Sequence, residues 1–307
     1  MSNFLDNVSS NEKILNIENS DLMEKEIKFP DKKLKLNDNE FIENEISNIN
    51  FIPINSSENY AGNYHNYVAM TLSEISHLKK VNFENILNNP SLYKNYPNEE
   101  ISLLKNSKKK ILLLDLDETL IHADFNNEYV NNTTIKYDKI ISFEDENEII
   151  SVGIFIRNGL NIFLKELSKD FTIGIFTASY KNYADAIIDY IDPNKNYIKF
   201  RLYRDNCIQF NNISIKDLRI LKGIDLKNVV LVDNSMYSFA NQLNNGILIN
   251  SFYFDKNDVD LFSVMNYLKC YVNNADDIRE VNKEFFSFEE FLKQLTEERL
   301  MINQVLS

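Results

Sequence analysis

The feature that most constrains the fold is an apolar run, Ile111-Leu112-Leu113-Leu114, that stops abruptly at two carboxylates one residue apart, Asp115 and Asp117. Such a run suits a central strand of a parallel sheet, buried on both faces, because a half-exposed strand would alternate instead. Ligands of these sheets gather at the carboxyl ends of the strands, which is where the two acids fall. Carboxylates at i and i+2 point the same way if the strand continues, and repel unless a cation or a shared proton compensates. The competing reading is a solvated turn at a strand end.

Three downstream segments favour a site. Phe171-Thr172-Ile173-Gly174-Ile175-Phe176 is a second buried run, and it ends in Thr177-Ala178-Ser179 before a helical pattern begins. A hydroxyl and free backbone N–H groups at such a junction suit a phosphate, although an ordinary helix cap is the commoner role. A third run, Val229-Val230-Leu231-Val232, ends in Asp233-Asn234-Ser235, and Lys216 supplies a cation beside Asp217-Leu218.

Taken in order, DLDETL at 115–120, FTAS at 176–179, Lys216 and VDNS at 232–235 resemble the haloacid dehalogenase superfamily. More narrowly they resemble its small C-terminal-domain phosphatases, the branch with the nuclear LIM interactor-interacting factor-like, or FCP-type, homology domain, which dephosphorylates serine in the tail of RNA polymerase II and in other proteins. FTASYKNYAD, RLYRDNC and KDL extend the likeness, which covers residues 108–272. The resemblance implies an α/β fold, a Rossmann-like central parallel sheet with a small β insert after the first motif.

It also implies a phosphoprotein phosphatase that works through an aspartyl-phosphate and magnesium. Asp115 is then the nucleophile and Asp117 the general acid, later the base. Thr177 and Lys216 hold the phosphoryl oxygens. Asp115, Asp233, the main-chain carbonyl of Asp117 and Asn234, through a water, form a hard oxygen set suited to Mg2+. Phe125, Tyr180 and Tyr183 line a pocket beside the phosphate, with core packing as the alternative for these aromatics, and Arg204 helps hold a peptide. A catalytically silent scaffold on the same fold, similar to a translocase subunit of the mitochondrial inner membrane, is the alternative. Four charges converging at one point favour catalysis over it.

Between the first two motifs, residues 125–157 are longer than a simple crossover needs. The β-rich runs Thr134–Tyr137, Lys139–Phe143 and Ile149–Ile156 predict an insert over 129–156, flat enough to leave the site open to an extended peptide. Departures from the family pattern fall outside the acids: Asn158-Gly159 follows Arg157 where proline is usual, and Phe210-Asn211-Asn212-Ile213 lacks the family's glycine.

Elsewhere the order reads helix 159–169, helix 180–191, a short helix near 236–242, strand 247–250 and helix 257–270. The alternation predicts a parallel sheet wrapped on both faces. The first sixty residues, rich in asparagine and charge, are expected to be disordered. Residues 61–105 form a helical lead-in, with Tyr67, Met70, Leu72 and Ile75 partly at helical spacing over 67–87. The catalytic domain spans 106–272, and Ser287 to Glu290 reads as a capping box opening a helix within a 273–307 extension. A net charge of −13 argues against direct nucleic-acid binding, although a local cluster of Arg157, Arg201, Arg204 and Lys216 is expected to offset the field at the site. Lys108-Lys109-Lys110 reads as a solvated lead-in to the first strand. Two cysteines, Cys207 and Cys270, and no apolar run of membrane length fit an intracellular protein of nucleus or cytoplasm without a membrane span.

Overall fold

A computed structural model of the chain describes residues 67–76, 104–105, 107–126, 135–210 and 212–294. Three apolar runs form its centre: β1 (Lys110–Leu114), β5 (Phe171–Phe176) and β9 (Val229–Asp233). With β6 (Ile198–Leu202) and β10 (Gly246–Leu248) they make a five-stranded parallel sheet in the order β10-β9-β1-β5-β6. Leu112, Leu113, Leu114, Ile173 and Leu231 have no accessible surface, as strands covered on both faces require. Truncating any one of these leucines to alanine would cost about 2–5 kcal/mol.

The order has a direct consequence for the site. From β1 the chain winds outward through β5 to β6, then crosses back to β9 and β10 on the other side. The winding reverses at β1, the kind of switch point at which ligands of open α/β sheets bind, beyond the carboxyl ends of β1, β5 and β9. Helices α2 (Leu160–Leu167), α3 (Lys181–Ile191) and α4 (Asp260–Tyr267) cover the sheet. Gly159 at the start of α2 adopts a left-handed φ of 81°, and the Phe262 ring stands 2.5 Å from where a Cβ would lie. Glycine is thus needed one residue after Asn158, the position where the family pattern suggested proline.

The insert is a second sheet. Strands β2 (Ile121–Asp124), β3 (Lys139–Asp145) and β4 (Glu148–Ile156) pair antiparallel in the order β2-β4-β3. Glu146 and Asn147, both at positive φ, close a two-residue hairpin whose twist matches its strands. The insert therefore begins earlier than the expected residue 129, at β2. The run Thr134–Tyr137 forms no strand over 135–137, and Thr134 lies outside the described residues. A small hairpin, β7 (Ile208–Phe210) with β8 (Ile213–Ile215), precedes Lys216. Its Asn212 takes a φ of 64°, supplying the left-handed turn that the missing glycine would have given.

Residues 67–76 form helix α1, which buries Val68, Leu72 and Ile75 in the main core while Met70 faces solvent. The remainder of the expected 67–87 helix and the 1–60 segment lie outside the described residues. At the other end, α5 (Ile278–Phe286) and α6 (288–294) add Ile278, Phe286, Phe288 and Leu292 to that core. The expected capping box does not form. Ser287 is left-handed and its hydroxyl donates back to the Lys283 carbonyl at 3.2 Å, so it closes α5 rather than capping α6. Of the basic triplet, Lys109 donates to the Ser168 carbonyl and Lys110 to that of Asn273, each 2.8 Å away, so two of the three lysines tie down the ends of helical segments instead of lying free in solvent.

Candidate active site

Asp115 continues β1 by one residue: its N–H donates to the Val232 carbonyl at 2.9 Å, which fixes its backbone at the carboxyl end of the sheet. Asp233 ends β9 beside it. Between them stands Lys216, held at its backbone by a 2.7 Å bond from its N–H to the Ser238 carbonyl. Its ammonium lies 2.5 Å from Asp115 Oδ1 and 2.6 Å from Asp233 Oδ2. All three are buried.

Burial alone would pull the lysine down, but the two carboxylates outweigh it and hold Lys216 above the ordinary lysine range. Asp233 is pushed the other way, to about 6, by burial and the Asp115 charge against the attraction of Lys216. Two bonds leave one ammonium proton uncommitted.

The remaining oxygens are also accounted for. Thr119, fully buried, donates to Asp115 Oδ2 at 3.0 Å, and its oxygen accepts from the Asn234 N–H at 3.2 Å. The Ser235 N–H donates to Asp233 Oδ1 at 2.8 Å. Asn234 donates its side-chain amide to Ser251. Thr119 lay inside the quoted first motif, yet nothing in the sequence assigned it a task. A hydroxyl four residues after the first acid, on a chain that must turn back, was the available signal.

Asp117 sits past the end of β1, where Glu118 turns the chain at a φ of 56° and bonds to Ile121. Its carboxyl accepts from Ser179 Oγ at 2.7 Å and from the Tyr183 hydroxyl. Burial raises it to about 6, the two hydroxyl bonds working against burial and the Asp115 charge adding to it. The surroundings of the two first-motif acids therefore differ: Asp115 is bonded to a cation, while Asp117 is enclosed by neutral donors.

Thr177 is buried at the end of β5, and its N–H pairs with the Leu202 carbonyl. Its oxygen accepts from the Ser179 N–H at 3.0 Å, which leaves the hydroxyl proton for another acceptor. It is not the helix cap, since α3 begins at Lys181. Tyr183 is buried between Phe125 and Phe143, with ring centroids 5.3 and 5.5 Å away. Phe125 is half open to solvent, and Tyr180 is exposed beneath the Arg204 guanidinium, 5.1 Å from the ring centroid.

Two of the arginines expected to offset the field do not reach the site. Arg157 is completely buried in an ion pair with Asp258 and Asp260, and Arg201 is paired with Asp185 and Asp189. The local cations are Lys216 and, at the rim, Arg204.

The donor chemistry fits a hard dication. Asp115, Asp117 and Asp233 carry up to three negative charges against one from Lys216, a deficit that buried oxygens tolerate poorly. Among the described residues no three carboxylate, imidazole or thiolate side chains converge as a ligand cluster. The side-chain ligands would accordingly be two, Asp115 and Asp233, with main-chain carbonyl and water completing an oxygen set, a sparse pattern that suits magnesium rather than zinc.

Comparison with known proteins agrees with this geometry. CTD small phosphatase-like protein 3 of Caenorhabditis elegans is 38% identical over 170 residues, covering 55% of this chain and 57% of that protein. The probable C-terminal domain small phosphatase of Dictyostelium discoideum is 37% identical over 175 residues, 57% of this chain and 54% of that one. CTD nuclear envelope phosphatase 1B of Danio rerio is 34% identical over 182 residues, 58% of this chain and 73% of that one. The chain thus spans about half the length of the first two. These relatives are named as phosphatases, which disfavours the scaffold alternative. The model of the NLI interacting factor-like phosphatases matches residues 110–279, from the first residue of β1 into α5, a stretch that contains every group described above, and the chain belongs to that family.

Proposed function

We propose that the chain is a magnesium-dependent phosphoprotein phosphatase acting on phosphoserine or phosphothreonine through an aspartyl-phosphate on Asp115. The observation that carries this reading is the buried Asp115–Lys216–Asp233 assembly at the point where the sheet reverses its winding, with Asp117 enclosed two residues away.

A phosphate monoester resists an anionic nucleophile, so charge must be screened, the attack held in line and the leaving oxygen protonated. Asp115 attacks phosphorus as the serine C–O–P bond breaks on its phosphorus side. Asp117 passes its proton to the departing serine oxygen. Its carboxylate then takes a proton from water as the water oxygen attacks the aspartyl-phosphate, which releases inorganic phosphate and restores both acids. The uncommitted proton of Lys216 and the Thr177 hydroxyl are directed at the phosphoryl oxygens. Magnesium, held by Asp115, Asp233 and the Asp117 carbonyl with Asn234 orienting a bound water, would add positive charge at those oxygens.

Substrate choice follows from the rim. Tyr180 is exposed beside Arg204 and Phe125 is exposed against Tyr183, and the β insert leaves a surface suited to an extended phosphopeptide such as one like the RNA polymerase II tail. Two free cysteines, one of them buried, fit the reducing environment of nucleus or cytoplasm. The test is hydrolysis of p-nitrophenyl phosphate and a phosphoserine peptide, with magnesium and with a chelator, for the wild type and Asp115→Asn. Magnesium-dependent turnover lost in the variant is expected. Turnover retained by Asp115→Asn rules the mechanism out.

A further inference from the structure

Tyr183 joins three parts of the molecule. It lies in the first turn of α3, its hydroxyl donates to Asp117, and its ring is packed by Phe143 of β3 and by Phe125, just after β2. The insert meets α3 again next door, where the Asn182 amide donates to the Glu144 carbonyl at 3.0 Å. On the other oxygen of Asp117 sits the Ser179 hydroxyl.

A carboxyl group on a short stem has two free torsions. Two hydroxyls on its two oxygens fix both. Tyr183 is buried, and its hydroxyl faces the Asp117 carboxyl as a donor.

We propose that Tyr183 and Ser179 are positioning residues for Asp117, and that the β insert, through Phe143 against the Tyr183 ring, sets where the proton donor stands. The inference rests on the reading of Asp117 as the general acid. It gives the insert a part in the chemistry beyond forming an open lid.

The consequence is a dependence on the leaving group. An alkoxide must receive the Asp117 proton as its bond to phosphorus breaks, whereas p-nitrophenolate departs without help. Loss of alignment at Asp117 must therefore slow alkyl esters much more than aryl ones. A pocket wall would contribute alike to two esters of similar size and shape.

The experiment measures kcat/KM, which covers steps through expulsion of the first leaving group, for p-nitrophenyl phosphate and benzyl phosphate. The wild type, Tyr183→Phe, Ser179→Ala, Phe143→Ala, Asp117→Asn and the Tyr183→Phe/Asp117→Asn double variant are compared. Tyr183→Phe keeps the ring and so the packing. Its benzyl-to-nitrophenyl ratio is expected to fall about tenfold, with smaller falls for Ser179→Ala and Phe143→Ala and no further fall when it is added to Asp117→Asn.

Equal losses on both esters in Tyr183→Phe, or a full additional loss in the double variant, would overturn the positioning role. A wild-type ratio in Phe143→Ala would overturn the part given to the insert. Failure of the underlying reading is separately visible, because then Asp115→Asn keeps its turnover or Asp117→Asn keeps the wild-type ratio.

Discussion

Two buried cations among the described residues are each flanked by a pair of aspartates, and only one of the two assemblies belongs to the proposed site. Arg157 is fully buried between Asp258 and Asp260; Lys216 is equally buried between Asp115 and Asp233. Four of the five guanidinium N–H groups are bonded. Nε and Nη2 grip both oxygens of Asp258 at 2.8 and 2.7 Å, Nη2 also reaches Asp260, Nη1 donates to the Thr119 carbonyl, and the carbon faces the Phe252 ring. A planar fork held in this way is a rivet between the start of α2, the turn after β1 and the segment before α4. The ammonium of Lys216 has two acceptors and a third proton to give, and its carboxylates stand at the sheet's carboxyl edge. What separates the two assemblies here is setting, a fork gripped from three segments against an ammonium at the sheet's carboxyl edge, not burial or charge count.

The largest effect that could break this comparison lies in activity. Lys216→Met should lower kcat/KM on p-nitrophenyl phosphate by at least about a thousandfold, the scale associated with removing a preorganised transition-state charge. Arg157→Met should instead act on stability: it strands two aspartates without their cation, a loss of about 3–5 kcal/mol. The folded fraction of Arg157→Met should turn over within a fewfold of wild type. Denaturant titration beside kinetics on the two variants separates the cases, and a stable but inactive Arg157→Met would mean that the arginine belongs to the site after all.

How far the sequence foretold these two assemblies is instructive. The Lys216 assembly was legible because its two acids stood at the ends of apolar runs, Leu114-Asp115 and Val232-Asp233, as did Thr177 after Phe176, while Lys216 itself gained weight only from their company. Arg157 was misread as part of the site's electrostatics because its partners, Asp258 and Asp260, lie about a hundred residues away in a segment without a pattern of its own. Strand β6 was overlooked although Ile198, Phe200 and Leu202 alternate with Lys199 and Arg201, the period of a sheet edge. Helix α5 hid for another reason: one of its buried positions is Asn282, which looks polar but accepts from the Tyr267 hydroxyl and donates to the Asn244 carbonyl. Asp277, whose carboxylate accepts from the Arg279 N–H, was its readable start. Ser179 and Tyr183 could be placed near the site from the motif, but their bonds to Asp117 depend on how the chain folds between β5 and α3.

A middle-sized effect concerns pH. Asp117 and Asp233 both stand at about 6, above the ordinary aspartate value, so the folded chain holds protons that the unfolded chain releases. The stability this represents is full below about pH 4, and is lost as pH rises through about 6, amounting to about 3 kcal/mol for a single group shifted by two units. In the presence of a chelator the melting temperature should therefore fall between pH 4 and pH 7 by more than in an Asp233→Asn variant. Added magnesium should raise it more at pH 7 than at pH 4.5, because the ion competes with protons for the carboxylates. An equal magnesium increment at both pH values would place the ion away from these acids.

The smallest effect is the sharpest comparison of the two assemblies, since it makes one change in each. Asp260 accepts from Arg157 at 3.1 Å and from the Asn250 amide at 2.9 Å, and burial raises it despite the arginine. Its charge is thus a cost that the fold tolerates, while Asp258 already satisfies the fork. Asp260→Asn removes that cost and keeps an oxygen acceptor, at the expense of one favourable acid in the first turn of α4. The two contributions oppose each other, so the change in stability should stay within about 1 kcal/mol, with turnover near wild type. Asp233→Asn is the same chemical change beside Lys216, and it too relieves a raised carboxylate, so the apo-protein should be no less stable. Yet magnesium should no longer raise its melting temperature, and turnover should fall by orders of magnitude. If Asp260→Asn proved as damaging to turnover as Asp233→Asn, the division between a fork gripped inside the fold and an ammonium at the sheet's carboxyl edge would fail; that division predicts that the two variants look alike in denaturant and unlike in every assay that needs magnesium.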